Sequence, residues 1–177
     1  MRNLFRRKQK VGGAEGRLGA GVVTAVVALV GCGGNGGGST ATALSKADYI
    51  AKGDAICAQK RQQRSRLVSE VYNAIASGVN SASDAHRVHD ISNQAANYVD
   101  QLATELQALP KPTGDEQILD TLLSTVSAEA TDIRHFADAV DSLDASQIRS
   151  FGEAANSDAA KAVAIAQGYG FTVCGQG

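Results

Sequence analysis

The stretch that decides the fold is residues 113–142, TGDEQILDTLLSTVSAEATDIRHFADAVDS. Its apolar side chains recur at steps of three and four residues, and the series ends just beyond the stretch: Ile118, Leu122, Val126, Ala130, Ile133, Phe136, Val140 and Leu143. This spacing places them along one face of an α-helix, whereas a half-buried strand alternates apolar and polar residues. The sequence therefore predicts a long amphipathic helix here.

Three further segments show the same helical period, at residues 45–76, 83–109 and 145–167. The apolar line of the segment 45–76 consists of Tyr49, Gly53, Ile56, Leu67, Val71 and Ile75. The apolar line of the segment 83–109 consists of Val88, Ile91, Ala95, Tyr98, Leu102, Leu106 and Leu109. The last segment continues from Ile148 and Phe151 into a line of alanines. These patterns predict three more amphipathic helices.

Short polar residues mark two of the helix starts. Thr113 with Glu116, and Asp144 with Gln147, have the spacing of a capping box, in which two side chains bond free amides at the first turn. We therefore expect the third and fourth helices to begin at these pairs.

Glycines and prolines mark the helix ends. Pro110 and Pro112 end the second helix, and Gly78 and Gly168 suit the caps of the first and fourth helices. Links this short join antiparallel neighbours. The sequence therefore predicts an all-α fold, an up-down-up-down four-helix bundle.

The N-terminal residues have the layout of an export signal. Residues 1–10, MRNLFRRKQK, are basic, and residues 18–30, LGAGVVTAVVALV, carry no charge. A basic segment followed by a short apolar one is typical of a secretory signal peptide. An uncleaved membrane anchor is the alternative, but such an anchor needs about 20 apolar residues.

The end of this segment, LVGC at residues 29–32, resembles the lipobox of bacterial lipoproteins, in which cleavage precedes a lipid-modified cysteine. We therefore expect residues 1–31 to be a lipoprotein signal peptide. Lipid on Cys32 would then hold the protein on the extracytoplasmic face of the cell membrane. Residues 32–44 are rich in glycine and predict a flexible tether. Residues 45–177 remain for one folded domain, the bundle.

Two more cysteines, Cys57 and Cys174, fall within this domain. An exported chain meets an oxidising environment. Once Cys32 is assigned to lipid, an even number of cysteines remains, which favours a disulfide between them. Free thiols or a metal site are the alternatives, although neither cysteine has a neighbour at zinc spacing. In the expected bundle the fourth helix ends where the first begins, so the tail has to climb only about three turns to bring the two cysteines together.

Three short motifs carry a resemblance to a known group of proteins. They are SKADYI at residues 45–50, DAIC at residues 54–57 and GFTVCG at residues 170–175. The chain is similar here to small, secreted or lipid-anchored helical proteins of high-GC Gram-positive bacteria. The resemblance covers residues 45–175 and implies a two-cysteine helical domain. The expected disulfide between Cys57 and Cys174 would staple the C-terminal tail of the bundle to the first helix. The resemblance implies no catalytic residue and no ligand.

Charge argues against nucleic acid as a partner. The predicted leader holds six of the 17 basic residues and one of the 18 acidic ones, which leaves 11 and 17 and a formal net charge of −6. An acidic domain is typical neither of nucleic-acid binding nor of a polybasic membrane patch. The chain also has no tryptophan for a stacking surface.

Common catalytic motifs are missing from the sequence. It contains no Gly-x-Ser-x-Gly elbow, no phosphate-binding glycine loop and no His-Glu-x-x-His. We therefore expect neither enzymatic activity nor a cofactor.

A pair of histidines is the candidate for a metal site. His86 and His89 lie three residues apart on the second helix, and Asp90 is nearby. Both histidines point away from the predicted core line, and a pair without a third ligand is usually polar surface. The prediction is therefore that no metal binds here.

The most unusual stretch is AQKRQQRSR at residues 58–66, which has no large apolar residue for more than two helical turns. The core line of the first helix passes through Lys60 and Arg64, which could extend outward along the flank of the bundle. The alternative is a polar layer inside the bundle, since Glu129 lies in the apolar face of the third helix at nearly the same height. Buried charges are costly without a partner, so each would need the others or a ligand.

Two functions follow, both of them binding functions. The first is a non-enzymatic interaction module at the cell envelope, whose acidic faces dock a protein or another envelope component. The second is a binder of a small anionic or zwitterionic molecule that uses Lys60, Arg64 and Glu129. The presence of a cavity where these three side chains converge discriminates between them.

Overall fold

The structure is a computed structural model, and it describes residues 42–176. Four α-helices follow one another, α1 (Lys46–Ala76), α2 (Ala82–Gln107), α3 (Glu116–Asp141) and α4 (Ala145–Tyr169), and a 3-10 turn (Cys174–Gln176) ends the described chain. This part of the chain contains no strand, and the all-α prediction is confirmed. The predicted signal peptide, Cys32 and residues 33–41 of the predicted tether lie outside the described residues.

Side-chain caps begin three of the helices as the sequence chemistry requires. The Ser45 hydroxyl accepts a hydrogen bond from the backbone N–H of Asp48 at 3.1 Å, and Ser81 caps α2 in the same way. Asp144 accepts from the backbone N–H groups of Ser146 and Gln147, each at 3.0 Å. These bonds satisfy amides that have no partner inside the helix.

The predicted start of α3 at Thr113 is wrong by three residues. Gly114 has a φ of +91°, which turns the chain, and the helix begins only at Glu116. Asp115 occupies the cap position but makes no side-chain cap bond. Glu116 Oε2 instead accepts the Gly114 N–H at 2.7 Å.

The end of α4 also differs from the prediction, because Gly168 stays helical and Gly170 ends the helix. Gly170 has a φ of +116°, a conformation that favours glycine. The N–H of Phe171 donates to the carbonyl of Ala166, and the N–H of Gly170 donates to the carbonyl of Gln167. These two bonds form the Schellman pattern. At the end of α1 the predicted glycine is correct, since Gly78 has a φ of +84°.

Leu143 takes the same role at the end of α3 without being glycine. Its φ is +56°, and the N–H groups of Leu143 and Asp144 donate to Val140 and Ala139 in the same Schellman pattern. The periodicity predicted a core position, but the side chain is 58% exposed. The apolar series therefore runs one residue past the helix, into the turn.

The helices do not pack symmetrically. Helix α3 packs closely against both α2 and α4, whereas the backbone of α1 approaches α2 and the C-terminal turn but neither α3 nor α4. The alanine line of α4 lets it lie close to α3, with Ala162 and Ala166 buried. Residues 58–66 give α1 little apolar surface to bury, so an opening remains between α1 and α4.

The C-terminal tail is held against the first turns of α1. Cys57 and Cys174 form a disulfide, with Cα atoms 5.3 Å apart, as the sequence predicted. The ring of Phe171 is buried and meets the ring of Tyr49 edge-on at 6.1 Å. Gly53 permits this approach, because a Cβ atom there would lie 2.5 Å from the Phe171 ring. The tail is therefore stapled to the first helix.

A carboxylate of α1 fixes the same tail by hydrogen bonds. Asp54 accepts from the N–H and the hydroxyl of Thr172, at 2.9 and 2.7 Å, and from the N–H groups of Val173 and Cys174, at 2.8 and 3.0 Å. Burial works to raise the pKa of Asp54, but these bonds together hold it below its ordinary value. The ionised carboxylate therefore stabilises the fold of the tail.

Candidate functional site

The opening between α1 and α4 is a cleft that contains two cavities. The lower cavity, next to the disulfide, has a volume of about 350 Å³, and the upper cavity, toward the far end of α1, about 270 Å³. Small-molecule sites in proteins typically have about 300–1,000 Å³. Glu129 and Ala159 line both cavities, so the two cavities adjoin at these residues.

The lower cavity has an apolar floor and a charged rim. Its floor is built by side chains of α2, α3 and α4: Tyr98, Val99, Leu102, Leu106, Leu122, Val126, Ala162 and Ala166. Arg61 and Arg64 of α1 line its rim, and Glu129 of α3 lines the end that faces the upper cavity. A few polar groups in an apolar concavity are typical of a ligand site.

Glu129 has an unusual environment. Burial raises the pKa of Glu129 to about 7, Arg64 opposes this rise, and Asp158 adds to it. Its carboxyl group is therefore close to half neutral at neutral pH. No cation lies within 4 Å of this carboxylate among residues 42–176. Arg64 stabilises its charge from a distance.

Of the three side chains predicted as a polar layer, the structure brings two to the cleft. Arg64 and Glu129 line the lower cavity, whereas Lys60 does not. The Lys60 ammonium binds the carboxylate of Glu105 on α2 at 2.9 Å and lies 6.0 Å from the centre of the Tyr98 ring. Lys60 therefore joins α1 to α2, on the side where the two helices touch.

Sequence reasoning missed two groups at the lower cavity. The Arg61 guanidinium donates to Gln176 Oε1 at 3.1 Å, which ties the rim to the C-terminal turn. Arg61 belongs to the polar stretch, so its position was visible in the sequence. Gln176 follows Cys174 by two residues, so the predicted disulfide placed it near this height, but no sequence pattern marked it as a partner of Arg61.

The upper cavity is apolar and partly uncovered. Val68, Tyr72 and Ile75 of α1 form one wall and are 45, 69 and 44% exposed. Ile133 and Phe136 of α3 face them. Three of the five large apolar side chains that are exposed in the described chain therefore border this one cavity.

Ser92 of α2 lies at the base of the upper cavity. Its side chain is 1% exposed, and its hydroxyl has no hydrogen-bond partner among the described residues. A buried hydroxyl without a partner is destabilising. The base of the upper cavity therefore includes a buried hydroxyl that no described residue satisfies.

A third depression lies on the outer side of α3 and α4. It is shallow, has a volume of about 530 Å³, and is lined by residues of the two helices and of the loop before α3: Gly114, Gln117, Ile118, Thr121, Ile165 and Gly168. None of these side chains carries a charge. Its polar side chains are the neutral ones of Gln117 and Thr121.

The histidines of α2 contact acidic residues of α3. His86 pairs with Asp141, and His89 Nε2 lies 3.6 Å from Asp138. His89 Nδ1 also lies 3.2 Å from Asp90, a contact within α2. Within residues 42–176 no three potential ligands gather in the geometry of a metal site. These contacts join α2 to α3 on the side of the bundle away from the cleft.

Comparison with known proteins gives no relative from which a function could be transferred. No model of a protein family matches the chain, and no curated protein and no solved structure matches it significantly. None of the helices within residues 42–176 combines the length and the apolarity needed to cross a bilayer.

Proposed function

We propose that this protein binds a small, partly apolar anion in the cleft between α1 and α4. The observation that carries the proposal is the joint position of Arg64 and Glu129 on the wall of a cavity that is otherwise mainly apolar. A concave site with a few convergent polar groups is the usual form of a small-molecule site. Of the two functions that the sequence predicts, the cleft supports this one best.

The charges at the rim favour an anionic ligand. Arg61 and Arg64 have no carboxylate within 4 Å among the described residues, so their charges are available to a ligand. An arginine can bind a carboxylate or a phosphate through two parallel hydrogen bonds. Glu129 opposes an anion with only part of a full charge at neutral pH, because burial raises its pKa to about 7.

Docking of a protein or another envelope component is the second proposal. Exposed apolar side chains mark protein-binding surfaces when they gather on an outer face. Here Val68, Tyr72 and Ile75 gather along a concave cleft, a shape that suits a small molecule better.

The ligand proposal is tested by what co-purifies with the protein. The full chain is isolated from membranes in a mild detergent and denatured, and the released small molecules are identified by mass spectrometry. We expect an anionic compound at about one molecule per chain. Ala159→Phe places a ring where the two cavities meet and should remove this compound.

The matched control is Ala160→Phe, which adds the same ring at an exposed position of the same helix. It should retain the compound at the wild-type level, and circular dichroism should show equal helix content in both variants. Equal recovery from Ala159→Phe and wild type, or no compound enriched in the wild type, would contradict the proposal.

The proposal places this activity at the outer face of the cell membrane. Its support is the basic and then apolar leader, the LVGC sequence that ends at Cys32, and the glycine-rich residues that follow. The resemblance to secreted and lipid-anchored helical proteins of high-GC Gram-positive bacteria points the same way. A lipid on Cys32 would hold the bundle at the bilayer.

Replacement of Cys32 tests the anchor. We expect Cys32→Ala to block both lipid attachment and the cleavage that precedes the cysteine, so the variant should retain its leader and lose the mass of the lipid. Cell fractionation and intact-mass measurement show both effects. Cys57→Ala is the control, since it should keep lipid and cleavage. A Cys32→Ala chain that is cleaved as the wild type is would rule the anchor out.

A further inference from the structure

The apolar surface of α1 that faces the cleft has no cover in the described chain. Val68, Tyr72 and Ile75 would lie against α4 if the bundle were closed, but the backbones of α1 and α4 do not approach one another. These side chains keep 44–69% of their surface exposed. Exposed apolar surface of this kind is unfavourable in water, so an apolar occupant gains from covering it.

Charge and apolar surface are separated along α1. The two arginines that line the cleft, Arg61 and Arg64, lie at the lower cavity, and the next two turns present Val68 and Tyr72. The upper cavity has Glu129 as its one ionisable group that titrates near neutral pH. The cleft therefore has a cationic end and a long apolar end.

We infer that the ligand of the cleft is a single-chain anionic amphipath, a long-chain carboxylate whose head binds Arg61 and Arg64 and whose alkyl chain lies in the upper cavity. The inference rests on the proposed function and names its ligand class. The path along α1 from Arg64 to Ile75 is about 16 Å at 1.5 Å per residue, the length of an alkyl chain of roughly a dozen carbons.

Glu129 lies between head and chain, and its charge decides how well an anion is accepted. Burial raises the pKa of Glu129, Arg64 from α1 lowers it and Asp158 from α4 raises it. Tyr98 of α2 is the third neighbour: burial raises the pKa of Tyr98, Arg64 lowers it and the charge of Glu129 raises it. A protonated Glu129 carries no charge beside the alkyl chain. An ionised Glu129 repels the carboxylate head, so binding should weaken as the pH rises from 6 to 8.

Photolabelling of the full chain in its membrane tests the inference. Membranes from expressing cells are incubated with a dodecanoate that carries a diazirine and an alkyne, and labelled peptides are mapped after irradiation. We expect label on the α1 peptide that contains Tyr72 and on the α3 peptide that contains Phe136. Unlabelled acids from octanoate to dodecanoate should compete, each added methylene improving competition about fourfold.

Paired variants separate the cleft from general contact with lipid. Ala155→Phe fills the upper cavity and should abolish the label, while Ala160→Phe, on the outer face of α4, should not change it. Arg64→Gln should weaken labelling about tenfold, as expected for the loss of a charge-assisted hydrogen bond. Arg66→Gln, an exposed neighbour paired with Glu70, should leave it unchanged.

The pH dependence gives a readout that a change in folding would not imitate. Labelling of the wild type should fall severalfold between pH 6 and pH 8, and labelling of Glu129→Gln should stay constant over this range. Label that is equal in wild type and Ala155→Phe, or that maps only to outer faces, would overturn the inference.

Two other occupants of the upper cavity are distinguished by a photoreactive residue. Tyr72→benzoylphenylalanine should capture an alkyl chain and add the mass of one fatty acid. A crosslink to a second copy of the chain, or to residues 1–41 of the same chain, would assign the cavity to that occupant and overturn the inference. If a compound depends on Ala159 for co-purification but dodecanoate neither labels nor competes, the cleft still binds a ligand and only its class is wrong.

Discussion

Replacing both Cys57 and Cys174 by serine lowers the free energy of unfolding by about 3–5 kcal/mol. The disulfide joins positions 117 residues apart, and closing so long a loop removes much of the conformational entropy of the unfolded chain. The disulfide also acts in the folded state. Within residues 42–176 the backbone of α1 meets only α2 and the C-terminal turn, and the disulfide is one of the contacts that hold α1 to this turn.

Urea unfolding followed by circular dichroism measures this effect. Reductant should shift the wild-type midpoint to that of the double serine variant and should leave the variant itself unchanged. Intact mass after alkylation should show no free thiol at Cys57 or Cys174 in the native, unreduced protein. A loss of less than 1 kcal/mol, or two thiols that react without reduction, would contradict the prediction.

Asp54→Ala should lower the free energy of unfolding by about 2–4 kcal/mol, because hydrogen bonds to a charged group are stronger than neutral ones. The carboxylate accepts four hydrogen bonds from three consecutive residues of the tail, Thr172, Val173 and Cys174. Alanine leaves those donors to water. Glu153→Ala, at an exposed position of α4, is the control and should change stability by less than about 0.5 kcal/mol.

The same carboxylate gives the protein an acid-dependent stability. Folding holds the pKa of Asp54 below the ordinary value of about 3.9, so the ionised form is favoured in the folded state. Its stabilisation is complete above the ordinary pKa and is lost as the pH falls through the lowered one. The difference between wild type and Asp54→Ala should therefore be constant from pH 7 to pH 5 and shrink below pH 4. If the stability difference between wild type and Asp54→Ala instead grows in acid, the predicted direction of the pH dependence is wrong.

The helices were predictable because α2, α3 and α4 each have a continuous apolar line and α1 has one on either side of residues 58–66. Residues 113–142 show this best, since Leu122, Val126, Ala130 and Val140 are all buried. The ends were harder to predict. Gly168 and Gly170 are both suited to a helix end in sequence, and only the position that takes a φ of +116° shows which of them ends α4.

The site was predictable only in part, for a geometrical reason. Residues one turn apart on a helix share a face in sequence, so Lys60 and Arg64 look equivalent. In the folded protein the two side chains have different surroundings. Lys60 binds Glu105 on α2, whereas Arg64 lines the cleft. No count along one helix predicts that α1 would pack on α2 and leave α4 uncovered.

The disulfide also determines what a protease can do to this protein. Residues 57–174 form a closed covalent ring that contains most of α1 and all of α2, α3 and α4. A single cut at any peptide bond within this ring releases no fragment, since the two pieces stay joined through the sulfur atoms. To release the bundle from the N-terminal part of the chain, a protease has to cut at a position that precedes Cys57. Among the described residues that leaves the short segment before α1 and the first three turns of the helix, where the bonds to Asp54 and the buried ring of Tyr49 hold the backbone in place.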